Sequence, residues 1–388
     1  MKHICFVLNK FIYGGIEKVA LNYLNHIDYE RYIVDVFVLS DNEDIIKEIP
    51  KQCNLYILNL NYYALPESRA SMMNKKTAGA LIYYPTFLLK KALLPYYLLK
   101  YNKYRNQTYD VAIAFSGHLN DIFFVKSILK SKRKIVWAHG MIYQYLLLSA
   151  AFEKSYRKFD AIACINQLDQ SEIFVHKPYL NYKIYNIYNP IPDESNKIDP
   201  TEVARLKERF GDFILMIARM SPPKDHKTLI KAYQEILKEQ PTFNKKLVLV
   251  GDGEESDHLK ELVSSMNLND NIIFEGSKAN VFDYYKAADI MVLSSESEGL
   301  PTVLVESMEV GTPVISSDCP RGAQDILRNE TYGLMFDVGN VKQLKEKILL
   351  LSNDQKVYQH YVEMGYQRLK DFAPETIMKQ FEDILNGK

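Results

Sequence analysis

A handful of residues in this 388-residue chain have the types and spacing that chemistry needs. Arg219 and Lys224 lie five positions apart in Ile217-Ala218-Arg219-Met220-Ser221-Pro222-Pro223-Lys224, at the end of an apolar run. A guanidinium fork and a point-charge ammonium placed there can converge on a diphosphate; the plain alternative is a solvated surface pair. Glu298 and Glu306 bracket Gly299-Leu300-Pro301-Thr302-Val303-Leu304-Val305. A carboxylate at a cleft mouth can accept from the paired hydroxyls of a sugar or ribose, whereas Glu306 also reads as a helix-start acid favoured by the helix dipole. Gly14 and Gly15 precede a helical pattern that starts at Ile16. Two glycines there let an anion approach free N–H groups at a helix start, or else make a flexible turn. The full GxGxxG fingerprint is absent, which disfavours a nicotinamide enzyme. His139, in Trp137-Ala138-His139-Gly140, reads on its own as an ordinary strand-end histidine.

These residues need strands and helices to hold them. Ile4–Leu8, Ile33–Leu39, Leu55–Leu58, Val111–Phe115, Ile135–Trp137 and Ala161–Ile165 read as short buried strands. Between the first two, Ile16, Val19, Ala20, Tyr23, Leu24 and Ile27 mark one face of an amphipathic helix. Asn189-Pro190-Ile191-Pro192 and the polar residues up to Pro200 read as a linker. The pattern then restarts with strands at Phe213–Ile217, Leu247–Val250, Ile272–Phe274, Ile290–Leu293 and Pro313–Ser316, and a helix over Leu229–Leu237. Such alternation predicts parallel sheets with crossover helices, and ligands at the strand C-terminal ends in a cleft between two α/β domains.

Composition narrows the function. Hydrophobic residues make up 47% and charged residues 25%, which excludes wholesale disorder. Lys+Arg and Asp+Glu are both 48, so a whole-chain nucleic-acid binder is not expected. The charge is uneven, with 24 basic against 15 acidic residues over 1–190 and 24 against 33 in the remainder. Cys5, Cys53, Cys164 and Cys319 are far apart and form no CxxC pair, as expected of reduced thiols in a cytosolic protein. Ile4–Leu8 is too short for a signal-peptide core, and the apolar stretch Ala78 to Leu99 is broken by Pro85, Lys90, Lys91 and Pro95.

GGIEKVALN, ARMSPPKDHKTLI, VGDGEE, EGLPTVLVE with its E-x(7)-E spacing, and GTPVISSDCPRGAQDIL follow one another in the chain. With them the sequence resembles glycosyltransferase family 4, the retaining GT-B enzymes of bacterial surface-polysaccharide type, from about residue 4 to about 340 and least over about 60–108. The resemblance implies an α/β GT-B fold with two Rossmann-like domains whose parallel sheets face a central cleft. An acceptor-binding domain would cover 1–190 and a nucleotide-sugar domain 191–371, with a C-terminal helix at about 372–388 able to pack back on the first. It further implies transfer of a hexose or N-acetylhexosamine, with retention, from a nucleoside-diphosphate sugar to a lipid-linked glycan; UDP is the expected carrier. By the same resemblance, Gly14 and Gly15 would lie against the donor diphosphate, which Arg219 and Lys224 would neutralise. Glu306 would grip the ribose, and Glu298 with the amides of Gly299 and Leu300 would hold the sugar. Pro301 suits the first turn of the helix whose Thr302 and Val303 amides add phosphate contacts, and His139 would lie beside the reacting sugar. No DxD metal pair is placed as in GT-A enzymes, so neither metal nor cofactor is expected. A covalent route through Glu298 is the alternative to same-face attack. Arg321-Gly322-Ala323-Gln324-Asp325 departs from the family pattern of a glycine pair followed by Glu, which puts a sugar-hydroxyl role for Asp325 in doubt. A sugar-nucleotide 2-epimerase and a non-catalytic sugar-nucleotide-binding partner share this architecture and stay open as alternatives.

From Ser68 to Tyr109 the chain carries eight Lys and Arg, no acid, and interleaved Tyr, Phe and Leu. This is the composition of an interfacial helix on anionic lipid, or of a helical pair completing the core. The expectation is a cytoplasmic protein, peripheral on the inner face of the cell membrane through about 68–109.

Overall fold

A parallel strand has no hairpin to its neighbour, so both faces of its sheet must be covered by the helices that return the chain. The computed structural model shows this arrangement twice. It describes residues 1–9, 15–39, 46–58, 60, 93–139, 155–166, 171, 175, 184–191, 197–319 and 322–388. The chain divides into two units, Met1–Pro190 with Pro374–Lys388, and Ile191–Ala373. Gly14, Gly140, Arg321 and the first part of the basic segment, 68–92, lie outside the described residues.

In the first unit β1 (Lys2–Leu8), β2 (Tyr32–Val38), β3 (Asn54–Ile57), β4 (Thr108–Ala114), β5 (Lys130–Ala138), β6 (Ala161–Cys164) and β7 (Ile184–Asn186) form one sheet in the order β3-β2-β1-β4-β5-β6-β7. Every pair is parallel. Ile4 to Leu8 are fully buried, as the apolar run requires. The helix Gly15–His26 turns Val19, Ala20, Tyr23 and Leu24 inward. The C-terminal helix Pro374–Asn386 belongs to this unit: Phe381 packs 5.1 Å from the Tyr23 ring, and Arg133 Nε donates to the Ile384 carbonyl at 3.0 Å.

Residues 93–100 are helical, and a short 3-10 turn follows at Asn102–Arg105. Leu94, Tyr97, Leu98, Tyr101 and Tyr104 of this stretch pack against the core that contains Phe37 and Phe124. Its outer side exposes Tyr96 by 56% and Leu99 by 76%, next to exposed Lys100 and Lys103.

The second unit repeats the pattern with β8 (Phe213–Ile217), β9 (Lys246–Val250), β10 (Ile272–Gly276), β11 (Ile290–Leu293), β12 (Val314–Ser317) and β13 (Leu334–Phe336), in the order β10-β9-β8-β11-β12-β13. The chain steps outward on one side of β8, then returns to the other side at β11. The loops after β8 and β11 therefore part at a topological switch point, where an open α/β sheet leaves a crevice.

Candidate active site

That crevice is a cavity of about 600 Å³ at the C-terminal ends of the second sheet. Its walls come from four loops. Ala218, Arg219 and Lys224 follow β8, Gly251 and Asp252 follow β9, Ser277, Lys278 and Val281 follow β10, and Glu298, Leu300, Pro301, Thr302 and Val303 follow β11.

Backbone approach fixes the first two loops against each other. Gly251 has φ +135°, and a Cβ there would lie 2.0 Å from the Ala218 carbonyl oxygen; one on Gly253 would lie 2.3 Å from that of Met220. Only glycine fits so close a contact. The loop after β8 then makes a 3-10 turn, Pro222–Lys224, and enters the helix His226–Glu239 through Asp225, at φ 44°. The Asp225 carboxylate caps that helix by accepting from the Thr228 amide at 3.2 Å. At the end of β11, Ser294 Oγ donates to the Asp225 carbonyl at 2.8 Å, and the Glu296 amide donates to that of Pro223 at 2.8 Å. Two loops distant in sequence are thereby tied at the switch point.

The tie places Lys224 beside Glu298. Lys224 Nζ donates to Glu298 Oε1 at 2.6 Å, and Ser295 Oγ donates to the same oxygen at 2.6 Å. The pair is largely covered, with 27% of the lysine and 11% of the glutamate side chain exposed. Arg219 lies at the rim, 71% exposed, and pairs with Glu254 at 3.0 Å. An exposed pair of this kind contributes little stability, so Arg219 is easily recruited by an incoming anion. Helix Thr302–Glu309 starts at the cavity with Pro301 as its N-cap rather than in its first turn. Thr302 and Val303 line the cavity at the positive end of that helix.

Glu306 stands on the fifth residue of this helix, just over one turn in, and is not among the residues lining the cavity. Its Oε2 accepts from Tyr285 OH at 3.1 Å. Burial pushes the Tyr285 phenol well up, so it remains a donor. Gly299 likewise does not line the cavity. Asp325, on the short helix Gly322–Leu327, lies outside the cavity lining as well.

The remaining candidates belong to the first unit. Gly15 opens the helix after β1, and a Cβ there would meet nothing within 4 Å, so packing does not require glycine. His139 follows β5, and its Nε2–H donates to the Phe115 carbonyl at 2.7 Å. That bond leaves Nδ1 as an acceptor. Burial, with His118 nearby, lowers the His139 pKa to about 4, so the ring is neutral at pH 7.

Sequence reading missed Ser277, Lys278 and Val281. Lys278 pairs with Glu275 at 3.0 Å and is a third cation at the cavity. The loop has no distinctive motif, and the signal that could have found it is position alone, directly after the strand at Ile272–Phe274. Among the described residues, no cluster of three or more His, Cys, Asp or Glu is placed to hold a metal.

Residues 202–368, nearly all of the second unit, match the family model described as glycosyl transferases group 1. Over 98% of its length the chain is 24% identical to an enzyme of Campylobacter jejuni, covering 99% of it. That enzyme is N-acetylgalactosamine-N,N'-diacetylbacillosaminyl-diphospho-undecaprenol 4-alpha-N-acetylgalactosaminyltransferase. The present chain is also 22% identical to an uncharacterized glycosyltransferase of Haemophilus influenzae, with 98% of each chain covered. The Anabaena protein HepE, solved with UDP and glucose, superposes over 100% of both chains with a TM-score of 0.73 at 18% identity, a likeness of fold. The two Rossmann-like parallel sheets are those of the GT-B class. Through residues 202–368, the chain is thus similar to the glycosyl transferases of group 1.

Proposed function

We propose that this glycosyltransferase moves a hexose or N-acetylhexosamine from a UDP-sugar to a hydroxyl of a lipid-linked glycan, with retention at the anomeric carbon and without a metal. The observation that carries the reading is the covered Lys224–Glu298 pair at the switch point, beside the helix start at Thr302. It sets a cation for a diphosphate next to a carboxylate for sugar hydroxyls. Arg219 and Lys224 hold the diphosphate, and as Lys224 turns to it Glu298 is freed for the sugar. Attack takes place on the face the leaving group vacates. The bond from C1 to the phosphate oxygen breaks, the bond from C1 to the acceptor oxygen forms, and the acceptor proton passes to the departing diphosphate. Cations on that diphosphate lower the barrier because its charge grows as the bond breaks. Glu306 is the ribose acceptor, and in the first unit neutral His139 keeps Nδ1 as an acceptor.

The acceptor class is supported by the Campylobacter relative, whose name specifies a diphospho-undecaprenol substrate. Among the described residues no helix is long and apolar enough to cross a membrane. Exposed Leu99, Tyr96, Lys100 and Lys103 support peripheral docking on anionic lipid, where each cation contributes about 1 kcal/mol. Sedimentation with anionic vesicles, weakened by salt and by Lys100→Glu with Lys103→Glu, is the expected outcome; no binding at low salt removes the docking. The transfer itself is tested with a panel of nucleotide sugars and a polyprenyl-diphosphate-linked acceptor, reading the anomeric configuration of the product by NMR. An inverted product contradicts retention, and conversion of UDP-N-acetylglucosamine without acceptor indicates an epimerase instead.

A further inference from the structure

Arg368 is completely buried, yet it does not line the cavity. From the helix Gln355–Leu369 its Nε donates to the Ile326 carbonyl at 2.9 Å and its Nη2 to that of Asp325 at 2.6 Å, while Nη1 pairs with Asp371. Two rings flank the guanidinium, with Cζ 5.3 Å from the centre of Tyr332 and 4.8 Å from that of Phe372. A buried charge persists only where its donors meet acceptors. Here the acceptors include carbonyls at the C-terminal end of the helix Gly322–Leu327, its negative pole.

The other end of this helix touches the loop that carries Glu298. A Cβ on Gly322 would lie 2.4 Å from the Gly299 carbonyl oxygen, 2.6 Å from Pro301 Cδ and 2.7 Å from Leu300 Cα. Helix start and loop are therefore in backbone contact, and six helical residues span about 9 Å. The short helix is a strut with Arg368 at one end and the cavity loop at the other.

We propose that Arg368 is a positioning residue for the donor sugar, setting the place of the Glu298–Pro301 loop by clamping the far end of Gly322–Leu327. The inference rests on the reading of the cavity as the donor site. The planar fork is what the position requires, because an ammonium cannot serve two carbonyls and a carboxylate in that geometry.

The test compares wild type with Arg368→Lys and with Gly322→Ala, which disturbs the same contact from the loop's end. Ligand-free amide exchange is followed over residues 298–303 and, as a reference, over 213–217; UDP affinity and kcat with an accepted UDP-sugar are measured alongside. Exchange over 298–303 is expected to rise about tenfold in both variants while 213–217 stays within about twofold. A fall in kcat of about tenfold with UDP affinity within about threefold is the expected kinetic split. Unchanged exchange over 298–303 in Arg368→Lys overturns the proposal, as does acceleration shared equally by 213–217. Should Arg368→Lys not fold, Asp371→Asn loosens the same guanidinium and takes its place with the same readouts. If wild type binds no nucleotide sugar, the donor reading fails while the exchange result still decides the positioning.

Discussion

Lys224 Nζ and Glu298 Oε1 meet at 2.6 Å where the loops after β8 and β11 part. The cation proposed for the diphosphate is thus paired with the carboxylate proposed for the sugar. Removing one charge-assisted contact to a growing transition-state anion should cost about 2.7–4 kcal/mol, so Lys224→Ala should lower kcat by about 10²–10³. A kcat within about threefold of wild type in steady-state assays would remove Lys224 from the reaction.

Glu298 and Glu306 should separate by phenotype. Glu298→Gln keeps the shape of the carboxylate but loses its charge beside Lys224, and kcat should fall while UDP affinity holds. Glu306→Gln should instead weaken UDP by about 1.5–3 kcal/mol, the range for a hydrogen bond to a charged group. Tyr285→Phe, which removes a donor to Glu306, should follow Glu306→Gln in direction with a smaller effect. Equal UDP affinity in wild type and Glu306→Gln, by calorimetry, would sink the ribose assignment.

Two glycines make opposite predictions. Gly251→Ala drives a Cβ into the Ala218 carbonyl from a left-handed backbone, and should cost about 1–3 kcal/mol or more of stability. Gly15→Ala meets nothing and should leave stability within about 0.5 kcal/mol. A lowered kcat/KM in a fully stable Gly15→Ala would then report a ligand at that helix start. Urea melts of both variants check the pair; a stable Gly251→Ala would contradict the packing described.

How much of this the sequence disclosed depended on local signals. Phe213–Ile217 and Ile290–Leu293 are legible to the residue because unbroken apolar runs stand between polar turns. β7 and β13, three residues each, were missed: Ile184–Asn186 holds a single aliphatic residue, and Leu334–Phe336 is too short to show a period. The pairing of Arg219 and Lys224 was read from spacing, yet the fold separates them into a rim cation and a covered one. Lys278 and Arg368 were invisible, because only the crossing of loops and helices brings them to the site and to its strut.

His226 links the site to pH. Burial, with Lys224 alongside, lowers its pKa from 6.5 to about 4. The folded pKa lies below the unfolded one, so between pH 6.5 and 4 the unfolded chain binds a proton that the folded chain refuses. Stability is unaffected above that window and should fall on acidification through it, by about 3 kcal/mol at most from this residue. Denaturant titrations at pH 6.5 and 4.5 should show a smaller loss in His226→Gln than in wild type; equal losses would contradict the assignment.

What the cavity after β8 and β11 binds decides whether it is a donor site. Calorimetric titration of wild type and Lys224→Ala with UDP and with a panel of UDP-hexoses and UDP-N-acetylhexosamines addresses it. One-to-one binding of UDP and of at least one UDP-sugar to wild type is expected, weakened about tenfold or more, or at least about 1.4 kcal/mol, in Lys224→Ala. Binding of none of them, or binding indifferent to Lys224, would contradict the donor site.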